Sequence, residues 1–179
     1  MLRNTLNNRA ITLLRMSSTV AILLAGMATA QGHETKTSFE MIVVSDAAYG
    51  KQIESGQTAL AIEKIEATPV RSSQKFFAKN NLCVAYTMTG DFAKAMAECN
   101  AAIETIQAQA TFLDDLESVI NARYTAMALS NRGVLQAMLG ETDLARSDFE
   151  KAKQLPVRNT ASRRNLEHLN VRTAQASAH

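Results

Sequence analysis

Tryptophan is absent from this chain, and its 179 residues include only two prolines, two cysteines and three histidines. Each scarcity excludes something. With proline confined to Pro69 and Pro156, long helices can run unbroken, because proline is the residue that interrupts them. Two cysteines build neither a disulfide framework nor a four-thiolate zinc site. None of His33, His168 and His179 has a second His or a Cys at metal-ligand spacing. A phosphate-cradling Gly-rich loop, a nucleophile elbow and a His-Glu-x-x-His pattern are all missing. Asp114-Asp115 reads as a helix start rather than a cation site. The expectation is a protein that performs no catalysis and holds no metal or cofactor.

What is present favours helix. Apolar residues make up 46% of the chain and aromatics only 5%, so a core is available but must be built from Ala, Leu, Ile and Met. These are good helix formers, as are the abundant Gln, Glu and Lys.

The first thirty residues stand apart. They carry Arg3, Arg9 and Arg15 with no acid, then an apolar run from Thr19 to Ala30 ending in Ala28-Thr29-Ala30. That is the layout of a secretory signal peptide cleaved between Ala30 and Gln31. The run is about a dozen residues, whereas a membrane span needs about 20. Met27 stands where a lipid-modified cysteine would follow Leu24-Ala25-Gly26, so no lipid anchor is expected. The expected product is periplasmic or secreted, with no membrane insertion once the signal is removed. Without the leader, 16 basic residues face 17 acidic ones, and no nucleic-acid footprint remains. Residues 31–40 are polar and aperiodic, and are expected to form a flexible lead into a domain spanning 41–175.

Within that domain a repeat is visible. Gly56, Gly90 and Gly140 are each followed five residues later by alanine, namely Ala61, Ala95 and Ala145. Four further on stand Ile65, Cys99 and Phe149; nine before the glycines stand Ala47, Asn81 and Asn131. The first two glycines lie 34 residues apart, the next two 50 apart, and Asn165 follows Asn131 by 34. Glycine suits a sharp bend between helices and alanine suits a close crossing. Ala95, Cys99 and Ala102 share one helical face.

The stretch Asn81-Leu82-Cys83-Val84-Ala85-Tyr86-Thr87-Met88-Thr89-Gly90-Asp91-Phe92-Ala93-Lys94-Ala95 resembles the heart of a tetratricopeptide repeat. Asn131-Arg132-Gly133, Gly140, Ala145, Asp148-Phe149 and Lys151-Ala152 resemble another, and the period is the one known for such helix–turn–helix units. Lys79 and Leu129 depart from the family's frequent tryptophan. The resemblance implies an all-α, right-handed α-solenoid with units at about 42–75, 76–109 and 126–159. A helical insertion would span about 110–125, with a new helix from Asp114-Asp115 to about Leu139. Phe112, Leu116, Val119, Ile120, Tyr124 and Met127 keep helical spacing through it. A capping helix at about 160–173, started by Thr160 or Ser162, would turn Leu166 and Leu169 inward and leave Arg163, Arg164, Asn165, Glu167 and His168 in water.

In such a hairpin closing at Gly90, Cys83 and Cys99 point into one seam. An exported protein would meet an oxidising space, so a disulfide is one expectation and two buried thiols acting as small hydrophobes the other. The family's first helices line a concave groove. By position this implies Val43, Asp46 and Gly50 in unit one, Asn80, Val84 and Thr87 in unit two, Ser130, Val134 and Ala137 in unit three, and Arg164 at the far end. The Lys and Asn that clamp a terminal carboxylate in some members are replaced by Asp46 and Gly50. The expected function is a protein–protein interaction module that holds a helix or extended peptide by packing. The alternative is an accessory subunit of an envelope enzyme or assembly, docking through the helices around 110–125.

Overall fold

The computed structural model describes residues 38–109 and 115–178. The expected leader with its cleavage site, most of the lead, His33, His179, Phe112, Asp114 and the side chain of Leu116 lie outside the described residues. The described residues are helical, with no strand among them. Seven α-helices follow in order: α1 (Gly50–Glu54), α2 (Thr58–Ala67), α3 (Lys75–Thr89), α4 (Phe92–Gln109), α5 (Asp115–Met138), α6 (Thr142–Gln154) and α7 (Thr160–Ser177). A short 3₁₀ turn, Ser72–Gln74, leads into α3. No described helix is long and apolar enough to cross a membrane.

Each helix packs against the next from α1 to α7, and α5 also touches both α3 and α7. Gly56, Gly90 and Gly140 occupy the bends after α1, α3 and α5, with φ of 80°, 81° and 82°. At Gly90 this left-handed residue donates its N–H to the carbonyl of Thr87 and ends α3. Ala61, Ala95 and Ala145 are fully buried at the crossings. One cluster joins Leu82, Cys83, Tyr86, Ala95, Cys99 and Leu135; a second joins Phe76, Ile103, Ile106, Ala126 and Leu129.

Cys83 and Cys99 are bonded, with Cα atoms 4.8 Å apart, and tie α3 to α4 inside the first cluster. Farther along, Arg132 on α5 grips Asp148 on α6 in a bidentate pair, Nε to Oδ2 at 2.6 Å and a terminal nitrogen to Oδ1 at 2.9 Å. Its other terminal nitrogen reaches Asn100 on α4 at 2.9 Å. One guanidinium thereby fixes three helices. Beside it, Gly133 lets Phe149 seat flat on α5, since a Cβ there would lie 2.6 Å from the ring.

Two expectations require correction. Residues 39–49 form no helix, so Val43 and Asp46 do not lie on a groove-lining first helix, and Gly50 only begins the five-residue α1. Ile42, Val43 and Val44 are consecutive β-branched residues, a composition that fits extended chain better than helix. The second correction is at α7, where the N-cap is Asn159, whose side chain accepts from the N–H of Ser162 at 3.1 Å. Asn165 there is buried at 1% exposure rather than facing water.

Gly90→Ala meets open space, so its cost is the backbone conformation alone, about 1–2 kcal/mol. Gly133→Ala clashes with Phe149 and should cost at least as much, about 1–3 kcal/mol. Urea denaturation should show Phe149→Leu restoring part of the Gly133→Ala loss and none of the Gly90→Ala loss. Reducing the Cys83–Cys99 link, which spans 16 residues, should lower stability by about 3 kcal/mol. Denaturation with and without a thiol reductant checks this.

Candidate functional site

Three asparagines separated by 50 and 34 residues stand on α3, α5 and α7, and all are buried: Asn81, Asn131 and Asn165. A buried carboxamide has two donor hydrogens and an acceptor oxygen to satisfy, and an unmet one costs about 1–3 kcal/mol. Here each asparagine meets the main chain of one residue in the segment 39–44. Asn165 Oδ1 accepts the N–H of Glu40 at 2.8 Å, and its Nδ2 donates to the carbonyl of Glu40 at 2.8 Å. Asn131 treats Ile42 the same way, at 2.7 and 2.9 Å. Asn81 does so with Val44, at 2.9 and 3.0 Å.

The gripped residues alternate: 40, 42, 44. A residue in an antiparallel sheet exchanges both main-chain bonds with one partner residue, and every second residue faces the same way. Each carboxamide supplies that pairing from a side chain, so three helices together act as one strand edge. Asn80 braces the middle rung. Its Nδ2 donates to the carbonyl of Ile42 at 3.0 Å, and its Oδ1 accepts from Asn131 Nδ2 at 3.0 Å. Asn81 also donates to the carbonyls of Ala47 and Ala48, at 2.9 and 3.2 Å, and so holds the turn that carries the segment into α1.

Side chains on the two faces of the segment have different surroundings. Phe39, Met41 and Val43 pack on buried residues of the core. They border a cavity of about 630 Å³ shared with Ile53, Val84, Thr87, Val134 and Met138. Phe39 stacks on Phe149 with centroids 6.3 Å apart and meets the edge of His168 at 4.7 Å, with the Arg172 guanidinium 5.4 Å from its ring. His168 is therefore half-buried against Phe39 rather than turned to water. On the opposite face, Ile42 and Val44 border a second cavity of about 490 Å³ with Arg123, Tyr124 and Met127. Arg164 pairs with Glu40, its Nε 3.1 Å from the carboxylate.

The structure thus brings Asn80, Val84, Thr87, Val134 and Arg164 around the segment. Ser130 lies beside the ladder, its Oγ 3.5 Å from Asn165 Nδ2, and Ala137 packs behind it with Val134 and Phe149. Val43, Asp46 and Gly50 fall on the other side of the contact: Val43 belongs to the gripped segment, and Asp46 is exposed and pairs with Lys51 at 3.4 Å. At Gly50 the main chain of Val44 approaches so closely that a Cβ would lie 2.0 Å from its carbonyl oxygen. The ladder residues Asn81, Asn131 and Asn165 were visible in the sequence as repeat register, and their chemistry was not drawn from it.

The hold on the segment is finely balanced. Six ladder bonds at roughly 1 kcal/mol net each give about 6 kcal/mol. Partial burial of Phe39, Met41 and Val43 adds roughly 3–4 kcal/mol. Ordering six residues costs about 9 kcal/mol at roughly 1.5 each. Away from the ladder, burial and a hydrogen bond to Glu66 push the Tyr86 phenol well above its ordinary range. The described residues contain no cluster of three or more His, Cys, Asp or Glu able to hold a metal.

Asn131→Ala should lower stability by about 1 kcal/mol, because with the middle rung lost the finely balanced segment is released to solvent rather than left with Ile42 and Asn80 unpaired. Asn131→Asp keeps the shape but points a carboxylate oxygen at a carbonyl. Its neutral form is favoured in the fold, so its penalty should be smallest below about pH 4 and grow as the pH rises. Urea midpoints across pH check both. No family model, curated protein or solved structure matches this chain.

Proposed function

We propose that this chain is an exported interaction module, built as a right-handed solenoid of tetratricopeptide-like units, that binds an extended peptide in the groove lined by α3, α5 and α7. It carries no chemistry of its own. The observation that supports this reading is the ladder: three buried carboxamides, from three successive odd-numbered helices, each grip both main-chain groups of alternate residues. Such an arrangement recognises extended chain as such, in the manner of strand addition to a sheet edge. The glycine bends, the alanine crossings and the neighbour-to-neighbour packing of α2 to α7 are what a stacked repeat requires.

A second reading, an accessory subunit docking through α5, is favoured by one observation. Val119 and Ile120 near its start are 52% and 44% exposed. Under that reading Val119→Glu and Ile120→Glu abolish assembly with the partner, and groove changes have little effect.

Under the leading reading Val84→Glu and Val134→Glu abolish partner capture. Main-chain recognition also has a direct signature. N-methylation of a bound peptide at three alternate amides should weaken binding about tenfold each, roughly 1.4 kcal/mol per lost bond. Methylation at the intervening amides should change it little. Isothermal titration of a methyl-scanned peptide series checks this; loss without alternation, or binding indifferent to Asn165→Ala, would sink the reading.

A further inference from the structure

Carboxamides that grip only N–H and C=O are indifferent to side chains, so selectivity must come from what flanks the ladder. The segment 39–44 displays those flanking sites already filled. An aromatic ring sits among Phe149, His168 and Arg172. A carboxylate on the next residue meets Arg164. Aliphatic side chains at the second and fourth positions after the ring pack beside Val84, Val134 and Ile53.

The same segment is poorly sealed for a piece of core. Phe39, Met41, Ile42, Val43 and Val44 are all only half-buried, and open cavities run along both of its faces. The turn that joins it to α1 forces Ala48 and Tyr49 to φ of 45° and 57°, a left-handed conformation that residues with a Cβ adopt at a cost. Release would relax that turn. The near-balance between its bonds and its ordering points the same way.

Resting on the peptide-groove reading, we propose that residues 39–44 are a built-in competitor occupying the groove in cis. The partner that displaces them is an extended peptide of the same chemistry: an aromatic residue, then an acidic one, with aliphatic residues two and four positions after the aromatic. The groove is then never left with its asparagines unpaired. Affinity for the partner is set by the fraction of molecules in which the competitor is out.

A fluorescein-labelled peptide with the sequence of residues 37–46 is titrated against the full chain and against its Met41→Asp variant, which weakens the competitor and leaves the groove intact. The variant should bind about tenfold more tightly, because more of it has the groove free. Equal affinities for the two proteins would overturn the competitor while leaving the groove reading in place. No binding to either would overturn both. Should Met41→Asp fail to fold by circular dichroism, hydrogen exchange on the unsubstituted chain decides. Saturating peptide should strip protection from the Glu40, Ile42 and Val44 amides and spare those of α3 and α5; unchanged protection with peptide bound would overturn the proposal. Replacing the peptide's acid by arginine should weaken binding about tenfold, with recovery on Arg164→Glu. Absence of that recovery would overturn the acidic position.

Discussion

The architecture depends on one reciprocal constraint. Asn81, Asn131 and Asn165 are buried in helix packing, where a carboxamide without partners is costly. The main chain of residues 40, 42 and 44 lies half-buried along these helices, where an unpaired N–H or C=O is also costly. Each set answers the other, rung by rung. Neither is stable where it is without the other or a substitute of the same chemistry.

The rest of the molecule holds three carboxamides at the spacing of alternate residues in extended chain, about 6.6–6.8 Å per step along the segment. Error in that spacing would be felt in every rung, since hydrogen bonds weaken steeply with distance and angle. The devices that fix it are correspondingly rigid. A disulfide ties α3 to α4 beneath the first rung. The Arg132–Asp148–Asn100 fork locks α5, immediately next to Asn131, to α6 and α4. Gly133 removes the one side chain that would hold Phe149 away from α5. Residues adjacent to the ladder asparagine in sequence thus serve the frame, and the asparagine serves the site.

The helices, their glycine bends and their alanine crossings were legible because each follows from local chemistry, with the same glycine-to-alanine spacing of five residues at every bend. The site was legible only in part, for two physical reasons. Asn81, Asn131 and Asn165 appeared as markers of register, but a sequence does not show that an asparagine is buried, and only burial gives its carboxamide an obligation. The neighbouring Asn80, a groove position only by resemblance, braces the ladder rather than forming a rung. The second reason lies in unit one. The period places Ala47 where Asn81 and Asn131 stand later in the chain, and the resemblance, with a first unit from about 42, implies a helix carrying Val43, Asp46 and Gly50. Yet Phe39-Glu40-Met41-Ile42-Val43-Val44 has no helical face, and its β-branched run is suited to extended chain. The expected boundary between lead and domain, at residue 40, falls inside this segment and separates its alternating side chains.

The missing helix changes how the groove must be understood. Had unit one carried its own asparagine near position 47, the ladder would have continued for a fourth rung over an open channel. Instead the chain at that point is itself gripped, its Ala47 and Ala48 carbonyls held by Asn81, and it turns through two left-handed residues to enter α1. The segment thus stands where the resemblance implies a helix lining a groove. Because a carboxamide ladder grips any extended chain equally, such an exchange needs no special sequence in the main chain and acts through tethering alone: the cis segment is favoured over a free peptide by proximity, whatever its side chains. On the proposed reading, a free peptide of the same sequence displaces the segment only at a concentration that offsets the tether, and one that fills the flanking sites at Phe149, Arg164 and Val134 better does so at a lower concentration. Under the proposed competitor, selectivity is a difference between two occupants of one site, and the tether sets how large that difference must be.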